Sequence, residues 1–240
     1  MKEVRFFYTP DVESSNELPK DEASHCTRVL RMTEGDEIML MDGKGAFYRA
    51  EITLATNHRC QFSVIEKLEQ PRQWKPCLHI AMAPTKLMDR TEWFVEKATE
   101  IGIDKLTFLD CQFSERKVVK DERVEKILIS AVKQSHKAWV PELASMVDSR
   151  KFVSEPRQGQ KFIAHCYDDA DIGTPKQLLR DAIKPGEDCV VMVGPEGDFS
   201  VDEVKFAVAN GFVPVSLGKS RLRTETAALV AVHTMSLLNQ

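Results

Sequence analysis

Two glycine-containing segments near the C-terminus have the composition of ligand-binding loops. The first is Val193–Ser200 (Val-Gly-Pro-Glu-Gly-Asp-Phe-Ser), and the second is Leu217–Ala228 (Leu-Gly-Lys-Ser-Arg-Leu-Arg-Thr-Glu-Thr-Ala-Ala). Glycine lets a backbone approach a ligand closely and adopt unusual dihedral angles. Each segment begins where an apolar, strand-like run ends, and open α/β sheets bind ligands at the carboxyl ends of their strands. We therefore expect the two segments to line one ligand pocket.

A helix is expected directly after each loop. Ser200 and Glu203 have the Ser-x-x-Glu spacing of a capping box, which predicts a helix from about Val201. Thr224 is a favourable N-cap for the closing helix, and Glu225 is well placed for the positive end of its dipole. Each loop is thus predicted to be held between a strand and a helix.

The N-terminal part of the chain is predicted to be rich in short strands. Asp42-Gly43-Lys44-Gly45 is a strong hairpin-turn signal. The segment Pro71–Pro76 contains two prolines, which cannot lie inside a strand ladder, and is the predicted linker. We therefore expect a first domain over residues 1–70 and a second over residues 71–240. The elements predicted for the first domain are strands at Val4–Tyr8, Glu37–Met41, Phe47–Thr56 and Gln61–Leu68 and a short helix around Asp21–Arg31.

From Cys77 onward, predicted strands alternate with predicted helices. This alternation indicates an α/β fold with a largely parallel sheet covered by helices. The closing helix has almost no polar face, which predicts that it is buried or forms an interface. Strands are expected at 78–83, 105–109, 161–166, 188–193 and 213–217, and helices at 87–101, 121–138 and 175–182, after Ser200 and from Glu225.

The composition favours a globular, cytoplasmic protein without a membrane span or a structural metal. No apolar run approaches the roughly 20 residues of a membrane-spanning helix, and the N-terminus lacks the apolar core of a signal peptide. The six cysteines are far apart, and the six histidines show no metal-ligand spacing. Residues 1–70 hold 9 Lys/Arg and 13 Asp/Glu, whereas residues 71–240 hold 24 of each. Any contact with nucleic acid must therefore come from local basic patches.

The two loops together resemble the signature of the 16S ribosomal RNA uridine-N3 methyltransferases, a family of the SPOUT superfamily. The similarity extends to His25–Arg31 followed by Gly35-Asp36, to Lys86–Gly102 and to Gln134-Ser135. It therefore covers essentially the whole chain. One departure is Asp198, which stands where the family pattern Gly-Pro-Glu-Gly-Gly has its last glycine.

The resemblance implies a fold in two parts. Residues 1–70 would form a small PUA-like RNA-binding β-barrel, and residues 71–240 would form a SPOUT α/β domain with a C-terminal trefoil knot. In that fold, the segment from about Gly194 to Gln240 passes through a loop of the chain and the cofactor lies in the knot. A homodimer is usual in the family and agrees with the apolar closing helix.

The resemblance also implies that S-adenosylmethionine is the methyl donor, and no metal is expected. In this comparison the glycines admit the ligand to backbone groups, and the leucines and Ala227 form apolar walls. His165 has an equally good interpretation as an ordinary histidine at the end of a strand. The residues expected to bind the cofactor are His165, Gly194, Pro195, Glu196, Gly197, Leu217, Gly218, Leu222, Thr224 and Ala227.

The implied acceptor, N3 of a uridine, must lose its proton before it can take a methyl group. An arginine beside the base would stabilise the resulting anion, and Arg223 and Arg221 are the candidates. A carboxylate would accept the proton. Glu196 is the favoured candidate for this role and Glu225 the less favoured one. The uridine must be unpaired or flipped out, because N3 is occupied in a base pair.

Two basic patches are the predicted contacts with 16S RNA in the small ribosomal subunit. Arg28 and Arg31 lie in the first, and Arg116 and Lys117 lie in the second. A solvated helix face is the simpler interpretation of the second patch. No membrane contact is expected.

Other functions remain open at this point. A 2′-O-ribose methyltransferase of the same superfamily is the nearest enzymatic alternative, and a non-catalytic RNA-binding protein is the alternative from another class. Gly218-Lys219-Ser220 resembles the end of a phosphate-binding P-loop, but Val213 occupies the position of its first glycine. A nucleoside triphosphatase is therefore disfavoured.

Overall fold

The computed structural model describes residues 5–240, which fall into two units. The first unit contains the chain up to Arg72 together with Ile129–Val140, and the second contains Gln73–Leu128 together with Pro141–Gln240. Val4, the predicted start of the first strand, lies outside the described residues. The grouping of residues 129–140 with the first unit is not indicated by any sequence pattern.

The first unit is built on a four-stranded sheet, counted over the described residues, with the order β1-β2-β3-β4. Strand β1 is parallel to β2, and the other pairs are antiparallel. Alternate side chains such as Phe7, Leu40 and Ile52 are fully buried, as expected for a sheet with one face on a core. The elements are β1 (Phe6–Tyr8), α1 (Lys20–Ser24) with a π-helical turn (His25–Val29), β2 (Glu37–Met41), β3 (Ala46–Ala55) and β4 (Cys60–Glu69).

Polar contacts join residues 129–140 to the rest of the first unit. The ammonium group of Lys133 lies 2.6 Å from Oε1 of Glu22. The indole N–H of Trp139 donates to the carbonyl oxygen of Gln70 at 3.1 Å. These contacts explain why a segment far along the chain groups with the N-terminal sheet.

The second unit holds, within the described residues, a seven-stranded parallel sheet with the order β7-β6-β5-β10-β8-β11-β9. The prediction of a parallel α/β sheet is thereby confirmed. The strands are β5 (Leu78–Met82), β6 (Lys105–Asp110), β7 (Glu142–Asp148), β8 (Gln160–Ala164), β9 (Gln177–Leu178), β10 (Cys189–Val193) and β11 (Val213–Ser216). The helices are α2 (Met88–Ile101), α4 (Ser149–Ser154), α5 (Asp169–Ile172), α6 (Leu179–Ala182), α7 (Val201–Ala209) and α8 (Thr224–Leu238). Helix α3 (Asp121–Gln134) begins in the second unit and ends in the first.

The central strands carry the core of the second unit. Every residue of β5 and β10 is buried, because both faces of these strands are covered. Phe199, Val204 and Phe212 pack into the same core from the elements that follow β10. The segment after β10 is therefore held by buried side chains.

Four parts of the second unit differ from the sequence prediction. The expected helix over 175–182 is confirmed only for Leu179–Ala182, since Gln177–Leu178 forms a strand. Strand β7 and the short helices α4 and α5 were not predicted. No residue of β7 is fully buried, so its sequence lacks the apolar alternation that would have revealed it.

Candidate functional site

A pocket of about 790 Å³ lies at the carboxyl ends of β8, β10 and β11. The three strands run parallel, so their ends meet at one edge of the sheet. The residues that line the pocket come from the segments that follow these strands, together with Arg90 from α2, Lys176 and Ala227. Glu225, the less favoured proton acceptor, does not line this pocket. The other residues that the sequence indicated for cofactor binding or chemistry all line it: His165, Gly194, Pro195, Glu196, Gly197, Leu217, Gly218, Arg221, Leu222, Arg223, Thr224 and Ala227.

The first pocket loop, Gly194–Asp198, is fixed by its own backbone and by the helix after it. A β-carbon on Gly194 would lie 2.9 Å from the backbone nitrogen of Phe199, so this position requires glycine. Ser200 and Glu203 form the predicted capping box at the start of α7. The carboxylate of Glu203 also accepts the backbone N–H of Gln112 at 3.0 Å. The loop is thus anchored on both sides.

In the second pocket loop, Leu217–Arg223, the space beside Gly218 is open. Gly218 has a φ of +124°, in the region that favours glycine, and a β-carbon there would meet no atom within 4 Å. Space beside this residue is therefore available to a ligand. Thr224 is not the N-cap that the sequence predicts. The N-cap is Arg223, because its carbonyl oxygen accepts the N–H of Ala227 at 2.7 Å and Thr224 already belongs to the first turn.

His165 presents an unsatisfied imidazole to the pocket. The residue is only 6% exposed, and neither ring nitrogen has a hydrogen-bond partner among residues 5–240. Burial, with a contribution from Lys176, lowers the pKa of His165 below its usual value. A neutral imidazole can donate one hydrogen bond and accept another. Buried polar groups in folded proteins are normally paired, so the ring is suited to a polar ligand in the pocket.

The pocket is lined by several cations. Arg221 and Arg223 are exposed, and neither has an ion-pair partner within the described part of the chain. Arg90, which sequence analysis missed, lies with its Nη1 3.8 Å from Oε1 of Glu225. Glu225 is buried, and its Oε2 has no hydrogen-bond partner in the described structure. Nothing in the helical pattern around Arg90 distinguishes it from other charged residues of α2.

Glu196, the favoured proton acceptor, is exposed on the first pocket loop. Its Oε1 accepts the backbone N–H of Lys86 at 2.9 Å, which links the loop to the segment after β5. One oxygen of this carboxylate therefore has a structural role, in addition to any role of the side chain in accepting a proton.

The residues predicted to bind RNA lie in both units. In the first unit, Arg28 donates from its Nε to the carbonyl oxygen of Asn57 at 3.0 Å, and Arg31 adopts a positive φ of 55°. In the second unit, Arg116 donates to the carbonyl oxygens of Thr85 and Lys86, and Lys117 pairs with Asp110. Arg116 thus holds the segment after β5, and its contact with RNA stays a prediction.

A second cavity, of about 530 Å³, contains none of the predicted site residues and lies where β5, β6 and β10 begin. His79 lies in its wall, with its Nε2 2.8 Å from Oγ1 of Thr107. Burial, with the nearby charges of Lys105 and Arg157, lowers the pKa of His79 to about 3.

Over residues 5–240, no three His, Cys, Asp or Glu side chains are grouped so that they could hold a metal ion. In the same range, no helix is both long and apolar enough to cross a membrane.

Family models match both parts of the chain. The model described as an RNA methyltransferase domain matches residues 72–236, and the model described as an RNA methyltransferase PUA domain matches residues 18–65. The parallel sheet thus lies in the methyltransferase match, and most of the N-terminal sheet lies in the PUA match.

Solved structures and curated proteins agree with these matches. A probable rRNA-methyltransferase from Porphyromonas gingivalis is 43% identical, with a TM-score of 0.91 over 98% of both chains. A ribosomal RNA small subunit methyltransferase E from Neisseria gonorrhoeae, crystallised with S-adenosyl methionine, is 28% identical, with a TM-score of 0.82 over 98% of both chains. The protein of the same name from Synechocystis sp. is 28% identical over 95% of this chain and 74% of its own length. This chain therefore belongs to the family of RNA methyltransferases that carry a PUA domain.

Proposed function

We propose that this protein methylates N3 of a specific uridine in the 16S RNA of the small ribosomal subunit, with S-adenosylmethionine as donor. The observation that carries the proposal is the coincidence, in one pocket, of both signature loops, a buried unpaired imidazole and two unpaired arginines. The names of the relatives from Neisseria and Synechocystis, which act on small-subunit ribosomal RNA, support the substrate.

The residues in the pocket fit the donor. S-adenosylmethionine, when bound, supplies an electrophilic methyl group on a cationic sulfonium. The open side of Gly218 gives access to backbone groups, and Leu217, Leu222 and Ala227 supply apolar surface for an adenosine. The unpaired ring nitrogens of His165 provide one donor and one acceptor to a polar ligand.

The acceptor chemistry falls to the arginines and to Glu196. The N3–H of uridine must be lost for its nitrogen lone pair to attack the methyl carbon, and the negative charge then spreads to the uridine carbonyl oxygens. A guanidinium stays protonated and offers a planar fork of donors to such oxygens. Arg223 is the preferred candidate, because its backbone is fixed at the N-cap of α8, and Arg221 is the second. Glu196 is the proposed acceptor of the proton.

The finer architecture belongs to the same proposal. We infer a closed PUA-like barrel at the N-terminus and a trefoil knot formed by the segment from about Gly194 to Gln240. The resemblance of the two pocket loops to the SPOUT signature supports the knot. The half-exposed outer face of α8, with Leu237 at 58% exposure, supports a homodimer. A cytoplasmic location follows from the substrate.

The division of labour between the two parts is also proposed. Residues 1–70, with Arg28 and Arg31, dock the RNA, and residues 71–240 bind the donor and carry out the transfer, with Arg116 and Lys117 near the RNA. The open space beside Gly218 in the second pocket loop is expected of a site that binds a methyl donor and is not required for RNA binding alone. It therefore supports an enzyme over a protein that only binds RNA.

Nucleoside analysis of ribosomal RNA tests the function directly. Small subunits from cells lacking the protein should lack one N3-methyluridine, and the purified protein with S-adenosylmethionine should restore it. Methylation at a ribose 2′-oxygen instead would support the alternative enzyme. If calorimetry detects no binding of S-adenosylmethionine, the protein is a non-catalytic RNA-binding protein.

A further inference from the structure

Asp198 has an unusual backbone conformation at the wall of the pocket. Its φ is +64°, and among the described non-glycine residues only Arg31 and His136 also have a positive φ. Asp and Asn tolerate this region better than most residues, because their short polar side chains can hydrogen-bond locally. Asp198 therefore takes a conformation that would otherwise favour glycine while adding a carboxylate to the pocket.

The Asp198 carboxylate joins the two strand ends that form the wall. Its Oδ2 accepts the backbone N–H of Cys166 at 2.7 Å, at the end of β8. Its Oδ1 accepts the backbone N–H of Phe199 at 2.7 Å, after β10. Both oxygens thus have fixed positions, and the negative charge stays beside the pocket.

The charges around the pocket are unbalanced. Glu196 and Asp198 are the acidic residues that line it, and Glu196 is exposed and bonded to the backbone of Lys86. Asp198 is half-buried, so its charge is the less screened of the two. The basic residues of the lining are Arg90, Lys176, Lys219, Arg221 and Arg223.

We propose that Asp198 makes the pocket discriminate between the methyl donor and the product left after transfer. This inference rests on the proposed function. S-adenosylmethionine carries a positive sulfonium, whereas S-adenosylhomocysteine carries a neutral thioether and is otherwise the same apart from the methyl group. A pocket lined mainly by cations disfavours the sulfonium, and the Asp198 carboxylate offsets that repulsion for the donor alone. The product loses this attraction when the methyl group leaves.

Asp198→Asn removes the charge and tolerates the positive φ. Its amide oxygen can still accept the N–H of Cys166, but its NH2 group then faces the N–H of Phe199 and the second bond is lost. The loss of this bond affects both ligands alike, so the effect of the charge is the difference between them. Calorimetry should give affinities for S-adenosylmethionine and S-adenosylhomocysteine with wild type and variant. We expect donor affinity to fall about fivefold more than product affinity, as for a partly exposed unit charge acting through a high effective dielectric. Raising the salt concentration should narrow the difference in donor affinity between wild type and Asp198→Asn, because salt screens the charge that the substitution removes.

The matched control is Asp202→Asn, which removes an exposed carboxylate of α7 outside the pocket lining and should leave both affinities unchanged. Asp198→Gly keeps the backbone conformation but removes the link to Cys166, and it should weaken both ligands and the donor more. If Asp198→Asn weakens the binding of both ligands equally, the inference is overturned. The carboxylate then affects only the shape of the pocket or the groups that the two ligands share. If the wild-type protein still binds the donor in that case, the proposed function stands. If the wild-type protein binds neither ligand, the inference and the proposed function are both overturned.

Discussion

The carboxylate of Glu196 accepts a hydrogen bond from the backbone N–H of Lys86, with 2.9 Å between Oε1 and the nitrogen. This bond ties the first pocket loop to the segment after β5, which Arg116 holds from the other side through the carbonyl oxygens of Thr85 and Lys86. A single side chain therefore combines a structural bond with the position proposed for proton transfer. The two roles are separable by mutation.

Glu196→Gln should reduce the single-turnover methylation rate by about 100-fold, the lower end of the effect of a general base. Glutamine keeps an oxygen that can accept the Lys86 N–H but does not take up a proton. Donor affinity by calorimetry should stay within about twofold of wild type. A wild-type rate in Glu196→Gln combined with a large loss in Glu196→Ala would assign Glu196 to loop positioning and place the base elsewhere.

Arg223→Ala should lower the single-turnover rate by about 100- to 1000-fold, the usual cost of removing one fixed donor that stabilises a developing anion. Donor affinity should change much less, because the charge is needed only when the uridine loses its proton. Arg223→Lys should restore only part of the rate, since an ammonium lacks the planar fork.

The control for Arg223 is Arg180→Ala, which removes a 72% exposed arginine on α6 that does not line the pocket. Its rate should match wild type. If Arg223→Ala also methylates at the wild-type rate, the stabilising charge belongs to Arg221 or to an arginine of a second subunit.

Gly218→Val should abolish measurable binding of S-adenosylmethionine while the protein remains folded. The new side chain enters open space beside the pocket and meets no protein atom within 4 Å of its β-carbon. Valine at a φ of +124° also strains the backbone. Calorimetry for the donor and thermal unfolding for the fold are the two measurements.

Gly173→Val provides a matched control for that strain. Gly173 also has a positive φ, +81°, and open space around its β-carbon, but it does not line the pocket. The two variants should lose similar stability, and only Gly218→Val should lose the donor. Equal donor affinity in both would remove Gly218 from the binding site.

The candidate pocket was predictable from sequence because its loops follow apolar strands and contain glycines at close approaches. The capping box of Ser200 and Glu203 was also predictable, because its geometry depends only on the spacing of two residues along the chain. Arg90 was not, because a helix of the second unit brings it to the pocket through tertiary packing. The role of Asp198 depends equally on a partner 32 positions away, Cys166, which no local pattern reveals.

The errors in the fold have similar causes. Strand β7 lies at the sheet edge with half-exposed residues, so burial did not impose an apolar alternation on it. Strand β9 and helix α6 are too short for either periodicity to be detected. The N-cap of α8 was misplaced by one residue, because Thr224 has a favourable capping side chain but its backbone is already helical. Element ends of this kind are set by single hydrogen bonds.

Glu203→Ala should lower the free energy of unfolding by about 3 kcal/mol, because it leaves several buried donors without an acceptor. The carboxylate accepts from the backbone of Ser200 and from Gln112, and it accepts the hydroxyl of Ser149 at 2.6 Å. Denaturant unfolding gives the measurement. Asp202→Ala, an exposed neighbour in the same first turn, should cost less than about 1 kcal/mol. Equal losses in the two variants would show that Glu203 contributes only as a first-turn acid.

The stability of the protein should fall as the pH is lowered from 7 to 5, with His79 as one cause. Its pKa is about 3 in the folded state and about 6.5 in an unfolded chain. The unfolded state therefore binds the extra proton between these values, and the stabilisation present above pH 6.5 is lost as the pH falls towards 3. At pH 5 this group should account for a loss of about 2 kcal/mol relative to pH 7.

His79→Gln should lose correspondingly less stability over the same range, whereas His233→Gln, at an exposed histidine of α8, should behave as wild type. Denaturant unfolding at pH 7, 6 and 5 compares the three proteins, and parallel pH profiles for wild type and His79→Gln would mean that the imidazole takes up its proton without cost to the fold.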